Sequence, residues 1–343
     1  MATVYKSFLD DDVTTTRTLL HETIPITGSI ISGSVYDEEN IKNYSHGRFQ
    51  SVYDYPVLSS SANHILDLTV GVSSDSLLNI GTQEKEKNQM YNQMAQMLVG
   101  HDENGNIRQF DKDGDLSDTS DKWEECFFFS FARLLTKDEI KKGSFIMTLG
   151  TGSVFDIFSE KVTISDAGAD TEYKTNSPAG EYGILYAGHD VSHIDANNRV
   201  GLIYYQAGIV VLTPKVFIKS DEAEFDPDQN DLSTSLTDYS IQELCDVIRT
   251  RVDDLDFNNT IELNSTIYFC RVNHNEFNYS SNPTYLDSSK IVVKNQSLDN
   301  PVSYITTVGM YSSDNELLAT AKLSEPLKKT PESELILRVR LDY

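Results

Sequence analysis

The chain has 343 residues, with 28 Lys and Arg against 53 Asp and Glu, so its formal net charge is −25. This acidic balance, with a pI near 4.5, argues against nucleic acid as the main partner, because phosphate binding needs clustered basic side chains. Apolar residues make up 39% of the sequence and charged residues 24%, which excludes an intrinsically disordered chain. Three cysteines, Cys126, Cys245 and Cys270, cannot form a disulfide framework, so we expect reduced thiols.

The start of the chain and its most apolar stretch predict neither export nor a membrane span. The first residues lack the basic-then-apolar order of a signal peptide and turn acidic at Asp10–Asp12. Gly201–Ile218 has the length of a membrane span, but Gln206, Pro214 and Lys215 interrupt it, and Ile, Val and Tyr dominate. We therefore expect buried strands in this stretch. From the lack of a signal peptide we expect a protein that is made in a cytoplasm.

A helix is predicted from about Thr82 to Val99, because four apolar side chains share one of its faces. These are Tyr91, Met94, Ala95 and Leu98. The methionine row Met90, Met94 and Met97 is expected to pack in the core, since Met is a flexible gap-filler. The acidic stretch that follows, 100–122, contains Asn104–Gly105 and Asp113–Gly114, which are typical of hairpin turns.

Three features are predicted between residues 136 and 255. A short helix is expected near Thr136–Lys142, with Gly143 as its stop. The acidic loop Ser220–Asp231 indicates an exposed excursion or a domain junction. A longer helix begins after Ser240, whose spacing from Glu243 is that of a capping box. Its apolar face consists of Ile241, Leu244, Cys245, Ile248, Val252 and Leu255.

Strands dominate the C-terminal part. Ser303–Tyr311 and Leu317–Leu323 flank the turn sequence SSDNE and predict a hairpin. The next residues, 324–334, contain two prolines and several charges, which predicts an exposed connector. Apolar residues then alternate with mostly charged ones over Leu335–Tyr343, which is typical of a strand with one apolar face. This strand could pair with its own hairpin, add to a neighbour's sheet, or be an internal edge strand that Arg338 and Arg340 protect from unwanted pairing.

Together these patterns predict a mainly β (α+β) fold, with antiparallel, sandwich-like sheets and two to three helices. The predicted domains are a β-rich domain over 1–230 and an α+β domain over 231–343 that ends in the hairpin and terminal strand. A single domain with insertions is the alternative.

The acidic and histidine-containing loops do not match known metal motifs. Asp111, Asp113 and Asp115 suggest a calcium loop, but an EF-hand counted from Asp111 needs Gly and Glu where Leu116 and Lys122 stand. A solvated acidic turn is the better interpretation, and an irregular calcium site stays open. His189 and His193 are four residues apart among Gly, Asp and Asn, which favours a surface loop over a zinc site.

No catalytic set emerges either. Gly150–Gly152 is too short for a phosphate-binding loop, and Ser313–Asn315 lacks the other elements of a β-lactamase. Cys126 lies in an apolar run next to acidic residues, which predicts a core thiol rather than a nucleophile. The sequence therefore predicts no catalytic, cofactor-binding or metal-binding residue and no enzyme. The acid and Tyr content leaves a depolymerase acting on host surface polymer as a lesser alternative.

Two stretches carry a family resemblance. The first is Asn40–Gly71, after the opening that begins at Asp12, and the second is Phe277–Tyr285, followed by 304–343. Together they resemble virion structural proteins of large contractile-tailed phages of the cyanobacterial and marine type.

The resemblance implies a non-enzymatic virion subunit that assembles in the host cytoplasm through protein–protein contacts with other virion proteins, as a homo- or hetero-oligomer. A baseplate position is expected first and a neck or head–tail connector second. No catalytic residue comes with the resemblance. With the acidic composition and the lack of a membrane span, we expect no cofactor, no specific nucleic-acid binding and no membrane. A receptor-binding fibre tip is a third possibility, although the chain shows no internal repeat.

Overall fold

A computed structural model describes residues 5–76, 84–116, 121–152, 155–188, 194–217, 239–278, 286–287, 290–291 and 302–343. Within them the chain is mainly β and its paired strands are antiparallel, which confirms the predicted α+β class. The helices are α1 (Gly28–Ser32), α2 (Glu84–Leu98), α3 (Arg133–Thr136) and α4 (Ile241–Arg249). The strands are β1 (Val13–Thr27), β2 (Ile41–Asn43), β3 (Gln50–Tyr53), β4 (His64–Val72), β5 (Phe110–Asp111), β6 (Lys122–Trp123), β7 (Glu125–Phe131), β8 (Glu139–Ile140), β9 (Ile146–Gly150), β10 (Lys161–Ser165), β11 (Lys174–Ser177), β12 (Gly180–Ala187), β13 (Arg199–Tyr204), β14 (Ile209–Leu212), β15 (Val252–Val272), β16 (Leu286–Asp287), β17 (Lys290–Ile291), β18 (Ser303–Tyr311), β19 (Leu317–Lys329) and β20 (Leu335–Asp342).

The chain divides into two compact units. The large unit is Leu20–Ile261, and the small unit combines Met1–Leu19 with Glu262–Tyr343. The boundaries therefore fall within β1 and β15. The predicted junction in Ser220–Asp231 lies in residues 218–238, outside the described residues.

The large unit is built on one antiparallel sheet that is buried on both faces. Its strands follow the order β15-β9-β10-β12-β13-β14-β7-β4-β3-β2. In β7, Phe127 and Phe129 belong to the apolar cluster on one face, and Cys126 and Phe128 belong to the cluster on the other. Burial on both faces explains why this strand is a continuous apolar run rather than an alternating one. The stretch Gly201–Ile218, predicted as strands, supplies β13 and β14.

Helices α2 and α4 bury most of their apolar side chains in opposite clusters, although Met90 of α2 belongs to the cluster of α4. Tyr91, Ala95 and Leu98 of α2 are buried in one cluster, as the spacing predicted, whereas Ile241, Leu244, Cys245 and Ile248 of α4 are buried in the other. In the methionine row, Met90 is buried and Met94 half-buried, but Met97 is 49% exposed, so its predicted core position was wrong.

Two helix predictions need correction. Helix α4 begins at the predicted capping box, but it ends at Arg249. Val252 and Leu255 lie instead in β15, where they pair with Leu149 and Met147 of β9. The short helix near Thr136–Lys142 is also displaced. Helix α3 covers Arg133–Thr136, and Glu139–Ile140 form β8, which pairs with β15.

The small unit contains the C-terminal part of β15, the hairpin β18–β19 and the terminal strand. β20 pairs with β15, from Val272 opposite Leu335 to Ser265 opposite Asp342, and not with the hairpin. Its residues alternate between half-buried and exposed, as predicted. The hairpin is also confirmed, but the predicted connector is wrong in part, because β19 continues to Lys329. Ile305 pairs with Leu327, but Thr307 pairs with Lys322, so residues 323–326 of β19 form a bulge. Pro326 lies in this bulge, where its missing N–H costs no regular strand pairing.

Candidate interaction site

The acidic turn predicted around Asp111 is closed by its own hydrogen bonds. Asp111 is 1% exposed, and its Oδ1 accepts backbone N–H bonds from Asp113 at 2.9 Å and Asp115 at 3.1 Å. Lys122 forms an ion pair with its other oxygen. Burial raises the pKa of the Asp111 carboxyl. In the described ranges, no three His, Cys, Asp or Glu side chains are placed to share a metal ion.

Of the other motifs considered in the sequence, those that the structure describes lie in tight packing, in the core or in a turn. A Cβ on Gly152 would lie 2.2 Å from the carbonyl oxygen of Asp156, so this position has no room for a side chain. Cys126 is fully buried, and burial raises its thiol pKa well above the ordinary value. Asn315 adopts a φ of 63° in the tip of the β18–β19 hairpin. His189 and His193 lie outside the described residues.

A buried carboxyl group that the sequence did not reveal lies in the large unit. Asp166 is 1% exposed and accepts hydrogen bonds from the backbone N–H of Gly143 at 2.7 Å and of Phe145 at 3.0 Å. The Tyr205 hydroxyl donates a third, at 3.0 Å. Burial raises the pKa of Asp166 to about 6, against these hydrogen bonds, which favour the ionised form. The three donors indicate that Asp166 fixes the turn before β9.

The small unit contains a cavity of about 710 Å³. Three runs of consecutive residues supply most of its wall: Tyr5–Phe8, Phe269–Val272 of β15 and Ser303–Tyr311, which is the whole of β18. We call this cavity the edge slot. Phe277 and Leu337 add further apolar wall, and Asp12 adds a carboxylate. The size is that of pockets that bind small ligands or anchor a peptide.

Aromatic side chains hold the walls of the edge slot in place. The rings of Tyr5 and Tyr311 are 4.8 Å apart between centroids, which ties the N-terminal segment to the end of β18. Phe8 contacts Tyr268 of β15 at 5.3 Å. Both pairs are tilted, a favourable geometry for aromatic rings. The wall is therefore assembled from parts of the chain that are far apart in sequence.

The charged groups of the edge slot are paired with one another. Lys6 Nζ lies 2.5 Å from Glu276 Oε2, and Arg271 Nε donates to Asp12 Oδ1. The backbone N–H of Leu9 and the Arg271 side chain lower the pKa of Asp12. The hydrogen bonds from Lys6 and from the backbone of Asn273 lower the pKa of Glu276. Each positive charge in the wall therefore has its own carboxylate, and the slot is close to neutral.

Cys270 is the cysteine that the edge slot exposes. Cys126 and Cys245 are fully buried in the large unit, whereas Cys270 is half-buried and lines the slot. Burial, and then the nearby charge of Asp12, raise its thiol pKa, so it is not an activated nucleophile. It is instead a natural position for a chemical probe of the slot.

Comparisons of the chain with models of protein families, with curated proteins and with solved structures find no match. Among the described helices, none is long and apolar enough to cross a membrane.

Proposed function

We propose that this chain is a non-enzymatic structural subunit of a tailed-phage virion, placed in the tail baseplate, and that its small unit makes contacts with neighbouring subunits. The family resemblance of Asn40–Gly71 and of the C-terminal part supplies the phage context. The observation that carries the assembly role is the contrast in apolar burial between the two units.

Apolar side chains of the small unit remain largely uncovered. Among the described residues, Val272 and Val302 are the only buried large apolar side chains that belong to it. Of the exposed large apolar side chains in the described ranges, more than half nevertheless belong to the small unit, although it has fewer than a third of the residues. Leu9, Leu318 and Ile336 are each more than 60% exposed. Exposure on this scale is typical of surfaces that associate with another protein.

The charge of the chain is distributed in the same uneven way. The small unit contains 13 acidic and 10 basic residues, and the large unit contains 40 acidic and 18 basic residues. The large unit therefore carries a net charge of −22 and the small unit only −3. Like net charge of this size opposes the association of large units with other acidic proteins, whereas the nearly balanced charges of the small unit oppose it much less. This difference in net charge supports the small unit, rather than the large unit, as the part that contacts neighbouring subunits.

Purified particles of the phage that encodes this chain test the proposal. Mass spectrometry should detect the chain in the particles, and gold-labelled antibody in negative stain should mark the baseplate. Gold at the neck would replace the baseplate placement with the connector placement. Absence of the chain from purified particles would overturn the structural role. Release of reducing ends from host surface polymer by the purified protein would overturn the non-enzymatic part of the proposal.

A further inference from the structure

The wall of the edge slot is formed by consecutive residues, and this identifies which part of β18 it exposes. Successive side chains of a strand point to opposite faces of its sheet. A cavity against one face would therefore be lined by alternate residues. All nine residues from Ser303 to Tyr311 line the edge slot, whereas no residue of the paired strand β19 does. The slot therefore runs along the backbone edge of β18.

This edge of β18 is unoccupied by any described strand. β18 pairs antiparallel with β19, from Ser303 opposite Lys329 to Tyr311 opposite Leu317. In the parts of the chain that the structure describes, the hairpin forms a sheet of its own with these two strands. At about 3.3 Å per residue, the nine residues of β18 give an edge about 30 Å long. No backbone group of the described residues pairs with the N–H and C=O groups on this side of β18, and such an edge is a template for one more strand.

From this geometry we propose that the edge slot binds one extended, uncharged and mainly apolar strand of a different virion protein, which adds to β18 through backbone hydrogen bonds. The inference rests on the proposed assembly role and names the contact that carries it. Backbone bonds supply affinity in this mode of recognition, and the pockets for alternate side chains supply specificity. Phe8, Phe269 and Phe277 are placed to receive the apolar side chains.

The charges of the slot determine the chemistry of the incoming strand. Lys6 is paired with Glu276, and Arg271 is paired with Asp12. A charged residue that enters the slot would lose its water and would find no free counter-ion among the described residues of the wall, which is costly. An uncharged strand has no such cost, and it leaves both ion pairs intact.

The charge of the large unit argues against a second copy as the partner. Two copies would each bring a large unit of net charge −22 into one complex. Like charge on this scale opposes association and favours separate molecules. A strand from another protein does not bring a second large unit with it, so this repulsion is absent.

A peptide probe tests the proposal on the full-length protein. The probe is an end-blocked nonapeptide of alternating threonine and valine with a fluorescent label, and its control has N-methyl groups on alternate residues, which removes backbone donors. We expect the first peptide to bind and to slow the reaction of Cys270 with a thiol reagent, and the control to bind at least about tenfold more weakly.

Matched variants locate the binding. Met310→Arg places a charge in the slot and should weaken peptide binding by about tenfold or more. Leu318→Arg places the same charge on the partner strand of the hairpin, at a side chain that is 61% exposed and outside the slot, and should leave binding within about twofold. Far-ultraviolet circular dichroism checks that both variants are folded.

Four outcomes would overturn the inference. Two concern peptide binding: equal binding of both peptides, and an equal loss of binding in both variants. The other two concern Cys270: a thiol that is unreactive in the free folded protein because its own chain fills the slot, and a thiol that is protected in a dimer of the chain. A chain that is found in particles but binds neither peptide refutes this inference alone. A chain that binds the peptide but is missing from particles refutes the proposed function and the virion origin of the partner, and leaves strand addition to β18 standing.

Discussion

Raising the pH should weaken the large unit through a single buried carboxyl group, that of Asp166. In the unfolded chain this group loses its proton near the ordinary pKa of 3.8, whereas in the folded protein it keeps the proton up to about pH 6. Between these values unfolding releases a proton, so rising pH favours the unfolded state. The stabilisation is complete below about pH 4 and is lost as the pH rises through about 6.

The size of the effect follows from the shift. A difference of about two pKa units at 1.36 kcal/mol each corresponds to about 3 kcal/mol across this window. Asp166→Asn removes the titration. It also leaves Gly143 or Phe145 with an N–H that faces an amide donor, which costs about 1–3 kcal/mol at every pH. The variant should therefore be less stable than the native protein at pH 4, with a deficit that shrinks or reverses at pH 7.

Urea unfolding of both proteins from pH 4 to pH 7.5 measures this difference. Trp123 is the only tryptophan, is 3% exposed and lies in the large unit, so its fluorescence reports unfolding of that unit. The overall charge of the chain affects both proteins alike and cancels in the comparison. Stability curves that run parallel over the whole range would show that Asp166 is ionised in the folded protein, and would refute the reasoning.

Three further predictions concern packing, capping and thiol exposure. Gly71→Ala should lower the stability of the large unit by about 1–3 kcal/mol, because the new Cβ would lie 2.8 Å from the Tyr91 backbone in α2; thermal unfolding measures this. Ser240→Ala should cost about 1 kcal/mol in urea unfolding, since its side chain accepts from the N–H of Glu243 at 3.3 Å. A thiol reagent should modify one cysteine in the native protein, Cys270, and three after denaturation.

Each of these predictions has its own control. Gln96→Ala lies on the exposed side of α2 and should leave the unfolding temperature nearly unchanged. Ser240→Asp keeps an N-cap oxygen and should restore most of the stability. An unfolding temperature of Gly71→Ala equal to that of the native protein, a cap loss that Asp does not restore, or modification of a second thiol in the native state would contradict the respective arguments.

Local signals in the sequence predict the elements that local interactions determine. Ser240 and Glu243 are three residues apart and cap α4 as the spacing predicted. The predicted end of that helix was wrong because Val252 and Leu255 fit both a helical face and a strand. Only the pairing with β9, about a hundred residues away in sequence, selects the strand.

The edge slot could not be predicted for the same reason. The sequence indicates that Ser303–Tyr311 is a strand, but not which of its edges has a partner. That depends on β20, which pairs with β15 rather than with the hairpin, and on Tyr5–Phe8, which reach the slot from the other end of the chain. The continuation of β19 through Pro326 was missed because the bulge that tolerates it is a property of the pair of strands.

Amide hydrogen exchange along β18 tests the assembly role most directly, when it is measured in the isolated protein and in the purified particle. In the isolated protein, the amides of Ser303–Tyr311 that point into the edge slot should exchange rapidly, because no described strand accepts from them. In the particle they should exchange at least about tenfold more slowly, since an added strand pairs with them. Equal exchange in both samples would show that this edge makes no contact in the assembly.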